Sequence, residues 1–330
     1  MGLFNKRTTV SMEFCSDEVR VVEGRFNKKN VTVDKCFTIP VPQELYEDGV
    51  IKDMEEFTHI LQTGLLKNNV SRGEVYGVIN SSNIIIREIR IPKVEVKQIA
   101  SILNYQLDEY LPVDPEGYVV QYLPLDVVEE DGFEKLNVML IGVPKFMVET
   151  HLNLLQNVGL KPVVLDYAGN AISKLIRLNE GINGMYGKDV TVACVNLEQN
   201  STALNIVDNG LIGMSRVVRE EINPTVFKTL EASYDEDAAA VSGLSVNLAS
   251  ILEKIDMVFR YYNSSEKDKN IELVMVYGSY ADADGIEELM SSYFDIPCVK
   301  LNSLDKVKFF GDLARYADAI GALIRVNGVK

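Results

Sequence analysis

The sequence predicts an α/β protein built as two domains about a cleft. Three observations carry this. The chain has 330 residues, room for roughly two domains of about 100–200 residues each. A glycine-rich break, NEGINGMYGKD at 179–189, divides it into a first domain, 1–180, and a second, 189–330. Each half opens with strand patterns at hairpin spacing and then alternates helices with strands, starting near Thr8 and Thr191. The repeat of order implies a duplication of fold with no obvious repeat of sequence.

TVSMEF, EVRVVEGRF and NVTVDKCFTI are strand-length runs joined by short polar breaks, as in consecutive hairpins, and Pro40 and Pro42 end the third. A helix follows over 53–67, with Phe57, Ile60, Leu61 and Leu65 at helical spacing. EVYGVIN and IIIREIRI read as strands. The clearest helix is VEVKQIASILNYQLDEYL, where Val96, Ile99, Ala100, Leu103, Leu107 and Tyr110 make an apolar stripe and Pro112 stops it. Strands over 118–126 and 134–143 flank an acidic hairpin, VVEEDGFEK. A helix over 145–158 ends at Gly159 and Pro162; PVVLD is a strand, and 167–178 a helix.

Beyond the break, TVACVNL and Ala203 to Val207 form a hairpin about a turn of small and polar residues. A DNG turn leads to a third strand over 211–218. The segment 238–262 is largely helical. IELVMVYG is an apolar strand, SYADADG a turn, 286–294 a helix, IPCVKL a last strand and 316–324 a last helix.

Composition excludes several classes. The formal charge is −15 with no basic run, against nucleic-acid binding and direct attraction to anionic lipid. No apolar stretch approaches the ~20 residues that span a bilayer. The start, MGLFNKRTTV, lacks a signal-peptide core, and Lys6 breaks the myristoylation pattern. No CxxC pair joins Cys15, Cys36, Cys194 and Cys298; the last three sit in apolar runs and read as buried free thiols. His59 and His151 lie on helical patterns and read as structural. There is no GxSxG, HExxH or GxxxxGK[ST].

Three segments narrow the reading. NYQLDEYLPVDPEGYVVQYLPL (104–125) has a helix ending in Asp-Glu-Tyr-Leu-Pro followed by a strand. VMLIGVPKFMVETHLNLLQNVGLKPVVLDYAGNAI (138–172) runs strand, helix, GLKPVVLD strand and helix. VMVYGSYADADGIEELMSSYFDIPCVKLNSL (274–304) carries a glycine turn, a helix and an Ile-Pro strand. Over nearly the whole chain these resemble PilM, a family of cytoplasmic actin-like proteins of type IV pilus assembly, related in fold to FtsA. The resemblance implies an actin-like ATPase (ribonuclease H-like) fold with an inserted α+β subdomain over about 91–163.

The resemblance also implies a cleft where two hairpin turns, one per domain, hold phosphates through backbone N–H groups. Glycine there allows close approach. This chain departs from the pattern. Asp-x-Gly-Ser in the first turn reads Glu13-Phe14-Cys15-Ser16. Asp-x-Gly in the second reads Asn196-Leu197-Glu198, followed by Gln199. The later Gly-Gly falls near Arg219-Glu220-Glu221, and the adenosine-side Gly-Gly-Gly reads Gly278-Ser279-Tyr280. A carboxylate at 198 repels a phosphate, Cys15 adds bulk, and Tyr280 either blocks the adenine or stacks on it. We therefore expect a degenerate site with no cofactor and no catalysis. The alternative is an active member binding ATP and magnesium, with Glu13 and Glu198 holding the metal.

The resemblance implies a partner as well: the N-terminal cytoplasmic peptide of a PilN-type membrane protein, docked between the first domain and the inserted subdomain. Strand addition suits an extended peptide. Ile84, Ile86 and Glu88 share a face by period two, and Arg87 and Arg90 can meet its acidic or carbonyl groups. Tyr105, Glu109 and Tyr110 on the helix are further candidates, although burial alone explains Tyr110. The implied role is a scaffold held at the cytoplasmic membrane through partners, the pilus assembly ATPase and other platform proteins among them. An FtsA-like division protein is a more distant alternative. Against it, the IRVNGVK end carries no amphipathic membrane-targeting helix.

Overall fold

The computed structural model describes residues 8–70, 72–111, 114–187, 189–222, 246–265 and 270–325. Strands β1 (Thr9–Phe14), β2 (Glu18–Phe26) and β3 (Val31–Pro40) form an antiparallel meander. A two-residue hairpin, β4 (Tyr46–Glu47) and β5 (Val50–Ile51), precedes helix α1 (Met54–Lys67), which Asp53 caps by accepting from the Glu56 N–H. Strand β6 (Glu74–Ile79) then pairs in parallel with β1.

The chain next leaves this sheet. Strand β7 (Ile85–Pro92), helix α2 (Val96–Tyr110), β8 (Tyr118–Glu130) and β9 (Phe133–Pro144) build a three-stranded antiparallel sheet, order β7-β9-β8. Helix α2 covers one face of it through Ile99 and Leu103, packed on Ile89, Ile91, Val138 and Leu140. The expected apolar stripe is narrower than the pattern suggested, because Val96 and Ala100 are exposed. The acidic segment is part of the strands: β8 and β9 run to a two-residue turn, with Asp131 and Gly132 both at positive φ, and pair through it.

Helix α3 (Lys145–Asn157) and strand β10 (Lys161–Tyr167) return to the first sheet, order β10-β6-β1-β2-β3 with a further strand from the C-terminal part beyond β3. The insertion is therefore Ile85–Pro144, not 91–163. Met147, Leu154 and Leu155 of α3 are fully buried with Phe57 and Leu61 of α1, so α3 belongs to the first-domain core.

Helix α4 (Ala168–Leu178) leads to the glycine-rich break, which is itself folded: β11 (Gly181–Ile182) pairs with β12 (Tyr186–Gly187). The Asn183 side chain docks this hairpin, donating to the Lys300 carbonyl and accepting from the N–H groups of Asn302 and Ser303. The second sheet repeats the plan of the first. Strands β13 (Val192–Leu197), β14 (Thr202–Asp208) and β15 (Leu211–Val218) form a meander, and β16 (Leu273–Tyr277) and β17 (Cys298–Lys300) add in parallel. Every β13 residue is buried. Ala193, Val195 and Leu197 pack with helix α5 (Val246–Ser265) and Met290 of helix α6 (Ile286–Phe294), while Val192 and Cys194 pack toward α4. The start of the helix expected over 238–262 lies outside the described residues.

The C-terminal boundary also differs from the expectation. Strand β18 (Val307–Lys308) joins the first sheet beside β3, and α7 (Leu313–Ala322) packs against α4 between the two sheets. Helix α7 starts three residues before the predicted Tyr316, because Asp312 caps it by accepting from the Arg315 N–H. The approach of α4 and α7 depends on small residues. A Cβ at Gly321 would lie 2.2 Å from the Ala171 carbonyl oxygen. All four cysteines are free; Cys15 and Cys194 are buried, and Cys36 and Cys298, expected in the core, are half-buried.

Candidate functional site

The ends of β1, β13 and β16 meet at one place between the sheets, because parallel strands in matching positions of both domains end on the same side. The β1–β2 turn brings Glu13, Cys15 and Ser16; the β13–β14 turn brings Asn196 and Glu198; the chain after β16 brings Gly278 and Ser279. A cavity of about 460 Å³ opens here, lined among others by Glu13, Cys15, Tyr46, Asn196, Glu198 and Arg219. Ser16 lines it too. Gln199, Gly278, Ser279 and Tyr280 do not: the Gln199 carbonyl accepts from Ile222 N–H at 2.6 Å, Gly278 and Ser279 sit behind Glu198, and Tyr280 packs toward the second-domain core.

Sequence reasoning missed the residue at the centre, Arg20. It is 1% exposed. Its Nε donates to Glu18 Oε1 at 2.7 Å, Nη1 to Glu198 Oε1 at 2.9 Å, and Nη2 to Glu198 Oε2 at 2.7 Å and Ser279 Oγ at 2.6 Å. Glu13 Oε1 lies 3.4 Å from Nη1. Ser279 donates its hydroxyl to Glu198 Oε2 at 2.7 Å and its N–H to Oε1 at 3.3 Å. On the flank, Arg315 of α7 pairs with Glu18 at 2.6 Å. Nothing in EVRVVEG marked this arginine, since alternation places Glu18 and Arg20 on what reads as a polar, solvated face.

Burial sets the protonation of the cluster. It pushes Glu13 up to about 7, with Arg20 opposing and Glu198 and Glu18 adding to the rise. Burial, and then the charge on Glu13, drives Asp318 well above the carboxylate range. Asp318 accepts from Asn196 Nδ2 at 3.1 Å and from the Tyr277 hydroxyl at 3.4 Å. Glu18 goes the other way. Burial favours its neutral form, but hydrogen bonds from Arg315 and the charge of Arg20 outweigh this and lower its value. Burial also pushes the Cys15 thiol well up.

Of the turn positions where the resemblance calls for glycine, Gly278 is still glycine and needs to be: its φ is +98°, and a Cβ would lie 2.1 Å from Asn196 Oδ1. At the rim, Arg219 from the end of β15 pairs with Glu47 of β4 at 2.6 Å, a second link between the domains.

The partner candidates separate. The open face of the three-stranded sheet stands over both domains and makes two grooves. The larger, about 950 Å³, lies between β7 and β15; Ile84, Ile86, Arg87, Glu88 and Arg90 line one wall, and Arg216 the other. The named strand residues thus line a groove with the second domain, where a groove with the first was expected; Ile84 also packs on the first-domain core. Arg90 pairs with Glu130 at 3.1 Å, while Arg87 Nη1 reaches the end of α2 and donates to the Tyr110 carbonyl at 2.8 Å. Tyr105, Glu109 and Tyr110 line neither groove: α2 covers the opposite face of the sheet, Tyr105 is 91% exposed, and the Tyr110 hydroxyl donates to Gln106.

The second groove, about 530 Å³, does lie between the insertion and the first domain. Gln121, Leu123, Ile141, Val163, Lys174 and Arg177 are among its lining residues. Its walls are β8 and β10, each the outermost strand of its sheet among the described residues. Leu123 is 40% and Val163 49% exposed. No motif marked these residues. The available signal was topological: β10 and β8 end their sheets.

Two α/β domains on one plan, with hairpin turns meeting in a cleft, define a protein of the actin-like ATPase fold. The sequence model of the family "Type IV pilus assembly protein PilM" matches residues 11–219. The chain belongs to that family. Its structure is similar to that of a PilM–PilN type IV pilus biogenesis complex, with a TM-score of 0.74, 18% identity, and coverage of 96% of this chain and 97% of that one. It is also similar to ethanolamine utilization protein EutJ from Carboxydothermus hydrogenoformans (TM-score 0.52, 12% identity, 98% and 91% covered). A third similar structure is ADP-bound MreB5 of Spiroplasma citri (TM-score 0.51, 12% identity, 96% and 95% covered). No curated protein matches the chain. Among the described residues, no helix is long and apolar enough to cross a membrane.

Proposed function

We propose that the chain is a scaffold of the type IV pilus assembly platform, recruited to the cytoplasmic membrane by the N-terminal segment of a PilN-type protein. The segment docks as an added strand between β8 and β10. The observation that carries this is the pairing of two outer strand edges with exposed Leu123 and Val163 in one groove. Main-chain hydrogen bonds supply affinity in such a mode, and alternate apolar side chains fill the pockets. The similar PilM–PilN structure supports the choice of partner.

On this reading the cleft does not hold a nucleotide. A phosphate needs free N–H donors, and here they are taken: the Glu198 N–H bonds the Ser201 carbonyl, and Ser279 and Arg20 are saturated by the Glu198 carboxylate. Ligand atoms of Glu13, Cys15 and Glu198 lie within 4.8 Å of one another, as a metal would need. The Arg20 guanidinium already contacts both glutamates, however, and the buried Cys15 stays a thiol, which is a poor ligand.

A fluorescent PilN N-terminal peptide tests the docking. Leu123→Glu and Val163→Glu each weaken binding by at least about tenfold, by loss of apolar burial and the cost of desolvating a carboxylate. Arg216→Glu, in the β7–β15 groove, leaves it within about twofold. No complex at high micromolar peptide defeats the reading, and loss of binding in Arg216→Glu alone moves the peptide to the other groove.

A further inference from the structure

We propose that Glu198 is an internal ligand: its carboxylate occupies an anion position between the two hairpin turns and holds the domains closed in place of a bound polyphosphate. This rests on the reading of the cleft as nucleotide-free. Arg20 presents both Nη groups to the two Glu198 oxygens, at 2.9 and 2.7 Å. That fork geometry serves carboxylates and phosphates alike. Ser279 completes the cradle with its hydroxyl at 2.7 Å and its N–H at 3.3 Å. The donors come from both domains, Arg20 from β2 and Ser279 from the segment after β16, so any anion seated among them ties the domains together.

Here the anion is attached to the chain. Arg20 and Glu198 are 178 residues apart, and both are buried. Their contact therefore forms only when the domains close. The rim pair Arg219–Glu47 is about half exposed on each side and is a weak substitute. Charge supports the exchange of one anion for another. Around Arg20 and Arg315 stand Glu13, Glu18 and Glu198, and burial leaves Glu13 only partly charged near neutral pH. Removing Glu198 leaves the two cations with Glu18 and a partly charged Glu13, and the two Nη groups and Ser279 facing a gap.

The test uses the full chain and inorganic pyrophosphate as the probe. Millimolar pyrophosphate leaves the thermal midpoint of the wild type unchanged. Glu198→Gly lowers the midpoint by about 5 °C or more, as loss of one partner of a buried ion pair does. Amide exchange at the β1–β2 turn and at Gly278 and Ser279 quickens by about tenfold or more, and pyrophosphate reverses both effects in this variant. The proposal is overturned if pyrophosphate stabilises the wild type, if Glu198→Gly exchanges like the wild type, or if pyrophosphate does nothing to the variant. Glu198→Gln keeps the bulk and one acceptor. Should the glycine variant not fold, faster exchange in the glutamine variant supports the proposal and unchanged exchange overturns it. Binding of Mg-ATP by the wild type would instead defeat the nucleotide-free reading, so the two failures are told apart.

Discussion

The Tyr46 hydroxyl lies 3.1 Å from His151 Nε2, while His151 Nδ1 lies 2.7 Å from the Met147 carbonyl oxygen. The imidazole is fully buried, edge-on to Phe14 and Tyr46. In the neutral ring Nδ1–H donates to Met147 and Nε2 accepts from Tyr46, so both nitrogens are satisfied without a buried charge.

This arrangement makes stability depend on pH. Burial lowers His151 from 6.5 to about 4, with the Met147 hydrogen bond opposing. The unfolded chain therefore takes up a proton that the folded one refuses. The histidine's contribution is complete above pH 6.5 and is lost as pH falls toward 4, amounting to about 3 kcal/mol. The difference between the urea-unfolding profiles of wild type and His151→Leu from pH 7 to 4 measures it, since the other shifted groups are common to both. A constant difference across this window would refute the assignment.

Gly278→Ala destabilises the cleft. The added methyl meets Asn196 Oδ1 at 2.1 Å and Glu198 Oε1 at 2.7 Å on a backbone at φ +98°. Strain and displacement together cost roughly 2–4 kcal/mol. Denaturant midpoints of variant and parent compare directly, and a loss below about 0.5 kcal/mol would mean that the turn relaxes freely.

Leu154→Ala tests the membership of α3 in the first-domain core. Leu154 is fully buried, so truncation costs about 2–5 kcal/mol through lost burial and the cavity left behind. If α3 were an outlying part of the insertion, the denaturation midpoint would barely move.

Calorimetric titration with Mg-ATP should give no binding tighter than about 10 µM, an affinity of roughly −7 kcal/mol. Tighter binding would show that the Arg20–Glu198 pair opens readily to phosphate, and would favour the nucleotide-dependent alternative.

Much of the fold was legible because it is local. Periodicity located α1, α3 and α4, the two meanders and the apolar β16 within a few residues, and the two-half order announced the duplication. Errors fell where a local pattern says nothing of what lies opposite. Period two grouped Ile84, Ile86 and Glu88, but the pattern did not show that these residues line a groove with the second domain.

What the sequence by itself determined is therefore the architecture and the family, together with the altered turns at Glu13, Cys15, Asn196 and Glu198. Tertiary structure alone decided what those alterations mean. Alternation made Arg20 a surface residue. Closure of the second domain made it 1% exposed and placed it between Glu18 and Glu198. Tertiary packing likewise returned β18 and α7 to the first domain and set β8 and β10 on one groove. The physical reason is that burial and ion pairing depend on distance in space, and partners 178 residues apart leave no periodic trace in the chain.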